Sequence, residues 1–146
     1  MTSTLDLTFT AEEIFNHAQE NVTSLCLGMT AYLLDKDLPV DDFWAATGKR
    51  FAPNWGKNIT ARGLAEGSAL NMLSGGTKLV ALTGDDNQAE VVITNWPAEG
   101  MLEFFGLTQE EADSTVSIFA AIAAEFDFDC QFARQEDELR LIFSHF

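Results

Sequence analysis

Residues 78–97, KLVALTGDDNQAEVVITNWP, constrain the fold more than any other stretch. Two arms rich in aliphatic and β-branched residues, 79–83 and 89–96, flank the polar run 84–88. A polar, glycine-led break between two such arms predicts a β-hairpin. Both arms are apolar on both alternating faces: Leu79 and Ala81 against Val80 and Leu82, then Val91 and Ile93 against Val92 and Trp96. A sheet with one wet face alternates more cleanly, so this hairpin is expected to be central or covered on both sides.

Helical patterns surround it. Thr10 and Glu13 form a capping box. The stripe that follows, Ile14, Phe15, Ala18, Val22, Leu25, Cys26, Met29, Tyr32 and Leu33, predicts about six helical turns with that stripe facing a core. His17 falls on the polar flank. Pro39 starts a second helix, with Val40, Phe43, Trp44, Thr47 and Phe51 on one side, and Pro53 ends it. A third helix, 61–73, holds Gly63 and Gly67 in its interior, which predicts a very close neighbour. Thr108 and Glu111 form a second capping box, opening a helix through Phe126. After it, Phe126, Phe128, Cys130 and Phe132 alternate with polar residues. A turn at 134–137 returns the chain with Leu139, Leu141, Phe143 and His145 on one face. Runs of helices and hairpins without βαβ alternation predict an α+β fold. In it, a helical N-terminal half packs on an antiparallel sheet of about four strands formed by two hairpins. At 146 residues the chain is expected to be a single domain, 1–146.

The net charge of −15 argues against nucleic acid and anionic membranes as partners. No apolar run reaches the roughly 18 residues of a membrane span. The opening Met-Thr-Ser-Thr-Leu-Asp lacks a basic-then-apolar signal pattern. A cytoplasmic location is expected. Cys26 and Cys130 lack CxxC spacing and fall on apolar stripes, so free, buried thiols are expected, although sequence alone leaves their pairing open.

Four of the eight basic residues, Lys49, Arg50, Lys57 and Arg62, crowd into residues 49–62 with Asn54, Trp55 and Asn58. They precede a helix start, whose free N–H groups favour anions. The expectation is a pocket between helices and sheet for a small, partly apolar organic acid. Lys49, Arg50, Lys57, Asn58 and Arg62 would bind its charged end, and Trp44, Trp55 and Trp96 would contact the rest. An enzymatic alternative, a hydrolase or a cofactor-free isomerase or lyase, would use His145 as base or Cys130 as nucleophile. A further alternative is an acidic interaction module that docks a basic protein. No cofactor is expected, and no metal site, since HxxxH, HExxH and CxxC are absent. GxxxxGK[ST] is absent too.

Two segments carry a resemblance. Val92-Ile93-Thr94-Asn95-Trp96-Pro97 is similar to a strand ending in Cys-Pro, and Asp127-Phe128-Asp129-Cys130-Gln131-Phe132 to a late Asp-x-x-Cys-x-Phe. With the order of elements, these resemble the 4-vinyl reductase domain and the L-2-amino-thiazoline-4-carboxylate hydrolase-like proteins, a group related in fold to a transport-particle subunit family. The resemblance implies a small-molecule pocket between helices and sheet and, often, a homodimer. Trp96 stands where the family carries Cys, so no thiol chemistry carries over to that position.

Overall fold

The computed structural model describes residues 8–146; the signal-peptide expectation falls on residues outside that range. Six α-helices and four strands follow in order: α1 (Ala11–Asp35), α2 (Val40–Phe51), α3 (Ala61–Ser74), β1 (Lys78–Gly84), β2 (Gln88–Thr94), α4 (Met101–Phe105), α5 (Gln109–Asp113), α6 (Ser117–Ala124), β3 (Phe128–Gln135) and β4 (Glu138–His145). The fold is α+β. Two hairpins join through β2 and β4 into one antiparallel sheet of order β1-β2-β4-β3. Among the described residues no helix is long and apolar enough to cross a membrane.

The core lies on one face of that sheet. The register sets Ala89 opposite Phe143, Val91 opposite Leu141 and Ile93 opposite Leu139. All six are buried, as are Phe128 and Cys130 on β3. Helix α3 covers β1, β2 and β4 on this face, and α6 covers β3. The period-two reading of β4 therefore holds. The turn before it is tighter than expected: Gln135 pairs with Glu138, leaving only Glu136 and Asp137, with Glu136 at φ 56°.

The first hairpin is not covered throughout. Its second arm is central, but β1 is an edge strand that leaves Leu79, Val80 and Leu82 exposed. The sheet continues only from the far side of β2, so among the described residues no further strand borders β1. A bulge between Leu79 and Ala81 breaks its ladder, a common way to blunt a free edge.

Helix α1 departs further from expectation. Its capping box forms, with Glu13 N–H donating to Thr10 Oγ1 at 3.1 Å and Thr10 N–H to Glu13 Oε2 at 2.9 Å. The apolar stripe, however, does not face the core. Thr23, Leu27 and Thr30 are buried instead, a line roughly 130° around the helix from the stripe's centre at about 100° per residue. Two hydroxyls hold this orientation. Thr23 Oγ1 donates to the Gly75 carbonyl at 2.7 Å, and Thr30 Oγ1 accepts from Trp44 Nε1 at 3.2 Å. Ile14, Phe15, Val22, Leu25, Met29 and Tyr32 are left exposed, together with His17.

The single helix expected from Thr108 to Phe126 is broken. Ser114, Thr115 and Ser117 each donate a hydroxyl to the carbonyl three residues back, at 2.6, 2.9 and 2.7 Å. Such back-bonding competes with helix hydrogen bonds, and residues Ser114–Val116 tighten into a 3-10 turn between α5 and α6.

The interior glycines have the close neighbours that their cost predicts. A Cβ on Gly63 would lie 2.9 Å from Ile59 Cγ1, and one on Gly67 would lie 3.0 Å from Trp55 Cε3. A closer helix–helix approach lies elsewhere. Gly48 on α2 sits against the Ile118 carbonyl oxygen of α6 and would place a Cβ 3.0 Å from Ala121 Cβ.

Candidate ligand-binding site

A cleft of about 560 Å³ opens between α1, α2, α3 and α6. Its size is that of a small-molecule site. All three tryptophans of the chain line it, and each is positioned by a different device. Trp44 is fully packed on α2 and held by its hydrogen bond to Thr30. Trp55, on the 3-10 turn Ala52–Trp55 after α2, lies against the backbone of Gly67 and meets Phe119 edge-on at 6.2 Å. Trp96 follows β2, and its carbonyl accepts from Arg134 Nη2 at 2.9 Å and Gln109 Nε2 at 3.1 Å. Arg134 also grips Asp113 through two bonds, at 2.6 and 2.8 Å. This half-buried fork ties the end of the first hairpin to α5 and to the second hairpin, a bidentate geometry with directional strength.

The chemistry of the lining is simple. α1 contributes Val22, Leu25, Cys26 and Met29, and α6 contributes Ile118, Phe119 and Ile122. The polar side chains present are largely spent on the protein itself. Thr47 and Thr115 donate to the carbonyls of Phe43 and Ala112, and Asn71 donates to that of Gly67. The Cys26 thiol is pushed up by burial, so it stays protonated near neutral pH. Among the described residues no carboxylate lines the cleft, in a chain with 23 of them. The one charged group is Arg50, which makes no salt bridge among the described residues. Its five donors are open to a ligand.

Of the residues expected to bind, the structure brings together Trp44, Arg50, Trp55 and Trp96. The other four lie outside the cleft. Lys49 points to Glu125, 4.0 Å away, and Arg62 pairs with Glu66 at 2.8 Å on an exposed face of α3. Lys57 and Asn58 are exposed in the loop before α3. The expected anion site at the start of α3 is not there either. The first hairpin's turn occupies it: Ala61 N–H donates to the Asp86 carbonyl at 3.1 Å, and Gly63 N–H donates to Thr60 Oγ1 at 3.2 Å. Two of the N–H donors that would attract an anion are thus taken by the protein.

The nucleophile and base of the enzymatic alternative are also apart from the cleft. His145 is opposite Phe128 in the register, stacked on it at 4.1 Å between ring centres, while Cys130 is opposite Phe143. The two are diagonal neighbours rather than a pair, and no hydrogen bond joins them. Burial, with a smaller contribution from Asp129, pushes the Cys130 thiol up to about 12, so it is not a thiolate nucleophile at neutral pH. Both cysteines are free. Among the described residues no cluster of three or more His, Cys, Asp or Glu could hold a metal ion.

Sequence reasoning misses the contribution of α1, because the helical spacing of Val22, Leu25, Cys26 and Met29 reads as a core-facing stripe. It also misses α6, which it reads only as the later part of a helix running from Thr108 through Phe126 and which supplies Ile118, Phe119 and Ile122 to the cleft. No protein-family model matches the chain, no curated protein matches its sequence, and no solved structure matches its fold.

Proposed function

We propose that the chain binds a small organic molecule with a large apolar body and a single anionic group. The observation that carries this reading is the composition of the cleft: three tryptophans and aliphatic side chains, no carboxylate, and one cation, Arg50, without a salt-bridge partner among the described residues. An apolar body displaces water from this lining and meets aromatic faces. A polar body would lose more hydrogen bonds than are returned by this lining, whose open donors include Arg50 and the buried Trp96 indole N–H, unpaired among the described residues. A carboxylate at the rim takes the Arg50 guanidinium as a bidentate partner. The same pocket class is what the resemblance to the 4-vinyl reductase domain implies.

Tryptophan emission reads binding directly, since every tryptophan borders the cleft. Titration with dodecanoate is expected to shift it, and dodecanol is expected to bind less tightly. Arg50→Gln should weaken dodecanoate roughly five- to tenfold and leave dodecanol unchanged; Arg50 is exposed, so the low end of a charge-assisted bond applies. Emission unmoved by either compound refutes the pocket. Equal affinity for acid and alcohol refutes the anionic specificity.

A further inference from the structure

Helix α1 presents an apolar face that the other described residues of the chain leave largely uncovered. Leu25 is 66% exposed, Tyr32 59% and Ile14 60%, and Phe15, Val22 and Met29 belong to the same face. These six expose roughly 700 Å² per copy, close to the roughly 800 Å² that each partner contributes to a standard stable interface. The face also has relief. Leu25 and Met29, one helical turn apart, line the cleft on one side and on the other a second groove of about 390 Å³ with Gly28, Tyr32 and Leu33. A ridge flanked by apolar grooves is the shape that packs into a like surface.

Charge decides among occupants. Residues 14–34 contain one carboxylate, Glu20, and no Lys or Arg, in a chain of net charge −15. A membrane-surface helix draws on basic residues that α1 lacks here. A basic partner would seek the acidic surface elsewhere. Two strongly acidic copies repel everywhere except where acid is depleted, and this face is such a place.

We propose that the face docks a second copy of the chain, α1 against α1 about a two-fold axis, so that the docked copy closes the mouth of the cleft. In a two-fold interface the same patch serves both copies. Val22, Leu25 and Met29 both line the cleft and lie on the docking face, so covering them also shuts the cleft. The docking stands on α1 alone; the closure rests on the ligand reading above.

Sedimentation velocity across a concentration series tests it. A species of twice 16.1 kDa is expected, strengthened by raised salt as self-repulsion is screened. Leu25→Asp, at an exposed position, should weaken the dimer by about tenfold or more. Tyr32→Asp serves the same purpose if circular dichroism shows the first variant unfolded. Val80→Asp, on the equally apolar edge strand β1, should leave the dimer intact. A wild-type monomer at every concentration overturns the docking. So does a dimer that survives both α1 variants, or one broken by Val80→Asp. Saturating dodecanoate should tighten the dimer several-fold; a dimer that binds dodecanoate and is unmoved by it overturns the closure. A monomer that still binds dodecanoate overturns docking and closure but leaves the pocket standing. A dimer that leaves tryptophan emission unmoved keeps the docking and refutes the pocket.

Discussion

Replacing Gly48 by Ala sets two effects of opposite sign against each other. Within a helix, Gly→Ala gains about 1 kcal/mol from backbone entropy and propensity. Gly48 lies in α2 where that helix crosses α6, and a Cβ there meets the Ile118 carbonyl oxygen and, at 3.0 Å, Ala121 Cβ. A backbone carbonyl cannot rotate aside, so the two helices must separate. Overpacking of this kind costs about 1–3 kcal/mol, and a rigid obstacle belongs at the upper end. The packing term wins, and the net loss is about 1–2 kcal/mol. For a domain of this length that lowers Tm by roughly 2–8 °C. Thermal melts followed by circular dichroism measure it. A Tm at or above wild type refutes the argument, because propensity would then have prevailed over packing. Gly67→Ala is the internal contrast. Its obstacle is the Trp55 ring, a side chain beside an open cleft. The ring can swing into that space, so stability should change by less than about 1 kcal/mol. Dodecanoate binding should fall instead.

Two further outcomes follow from protonation. Alkylation of native protein by iodoacetamide at pH 8 should be slow at both thiols, by about a thousandfold at Cys130 relative to an ordinary cysteine, with Cys26 further protected by dodecanoate because it lines the cleft; rapid labelling of folded protein contradicts both assignments. At the first hairpin, the Asn87 and Gln88 N–H groups donate to Asp85 Oδ1 at 2.8 and 3.1 Å and lower its pKa below 3.8. A lowered folded pKa means that the ionised carboxylate supports the turn fully above pH 3.8 and loses that support as pH falls through the folded value. A carboxyl carbon titration by NMR should therefore show a midpoint under 3.8, with faster Asn87 and Gln88 amide exchange in acid; a midpoint at or above 3.8 rules the turn bonds out.

What the sequence made legible was local. The capping boxes at Thr10 and Thr108 depend on residues three apart, and both form. The buried face of β4 follows from parity alone, and Leu139, Leu141 and Phe143 are fully buried. What it concealed depended on partners distant in the chain. Nothing in residues 78–97 says that β4 pairs with β2 and leaves β1 at an edge. Nothing near Thr60 says that the Asp86 carbonyl will take the Ala61 N–H and dissolve the expected anion site. Arg50 was found for a reason that proved only partly right. The basic cluster of residues 49–62 is dispersed in the fold, and Arg50 reaches the cleft because it lies on the same side of α2 as Phe43, Thr47 and Phe51.

Helix α1 shows why pattern and placement are separate questions. An amphipathic stripe says which surface gains by leaving water; it does not say what will cover it. Here the stripe competes with two threonines. Thr23 and Thr30 sit on the opposite flank, and each finds a partner that only the folded chain supplies: the Gly75 carbonyl and the Trp44 indole. A buried hydroxyl that found no partner would cost about 1–3 kcal/mol, a penalty comparable to burying a large aliphatic side chain. Turning α1 to bury the stripe would break both bonds and leave the buried Trp44 N–H without its Thr30 partner. Leaving it outward keeps these bonds and places Val22, Leu25 and Met29 at the mouth of the cleft, where a ligand and a second copy can bury them together. In the proposed dimer, the helix whose stripe reads as core would be the element that couples the cleft to the surface around it.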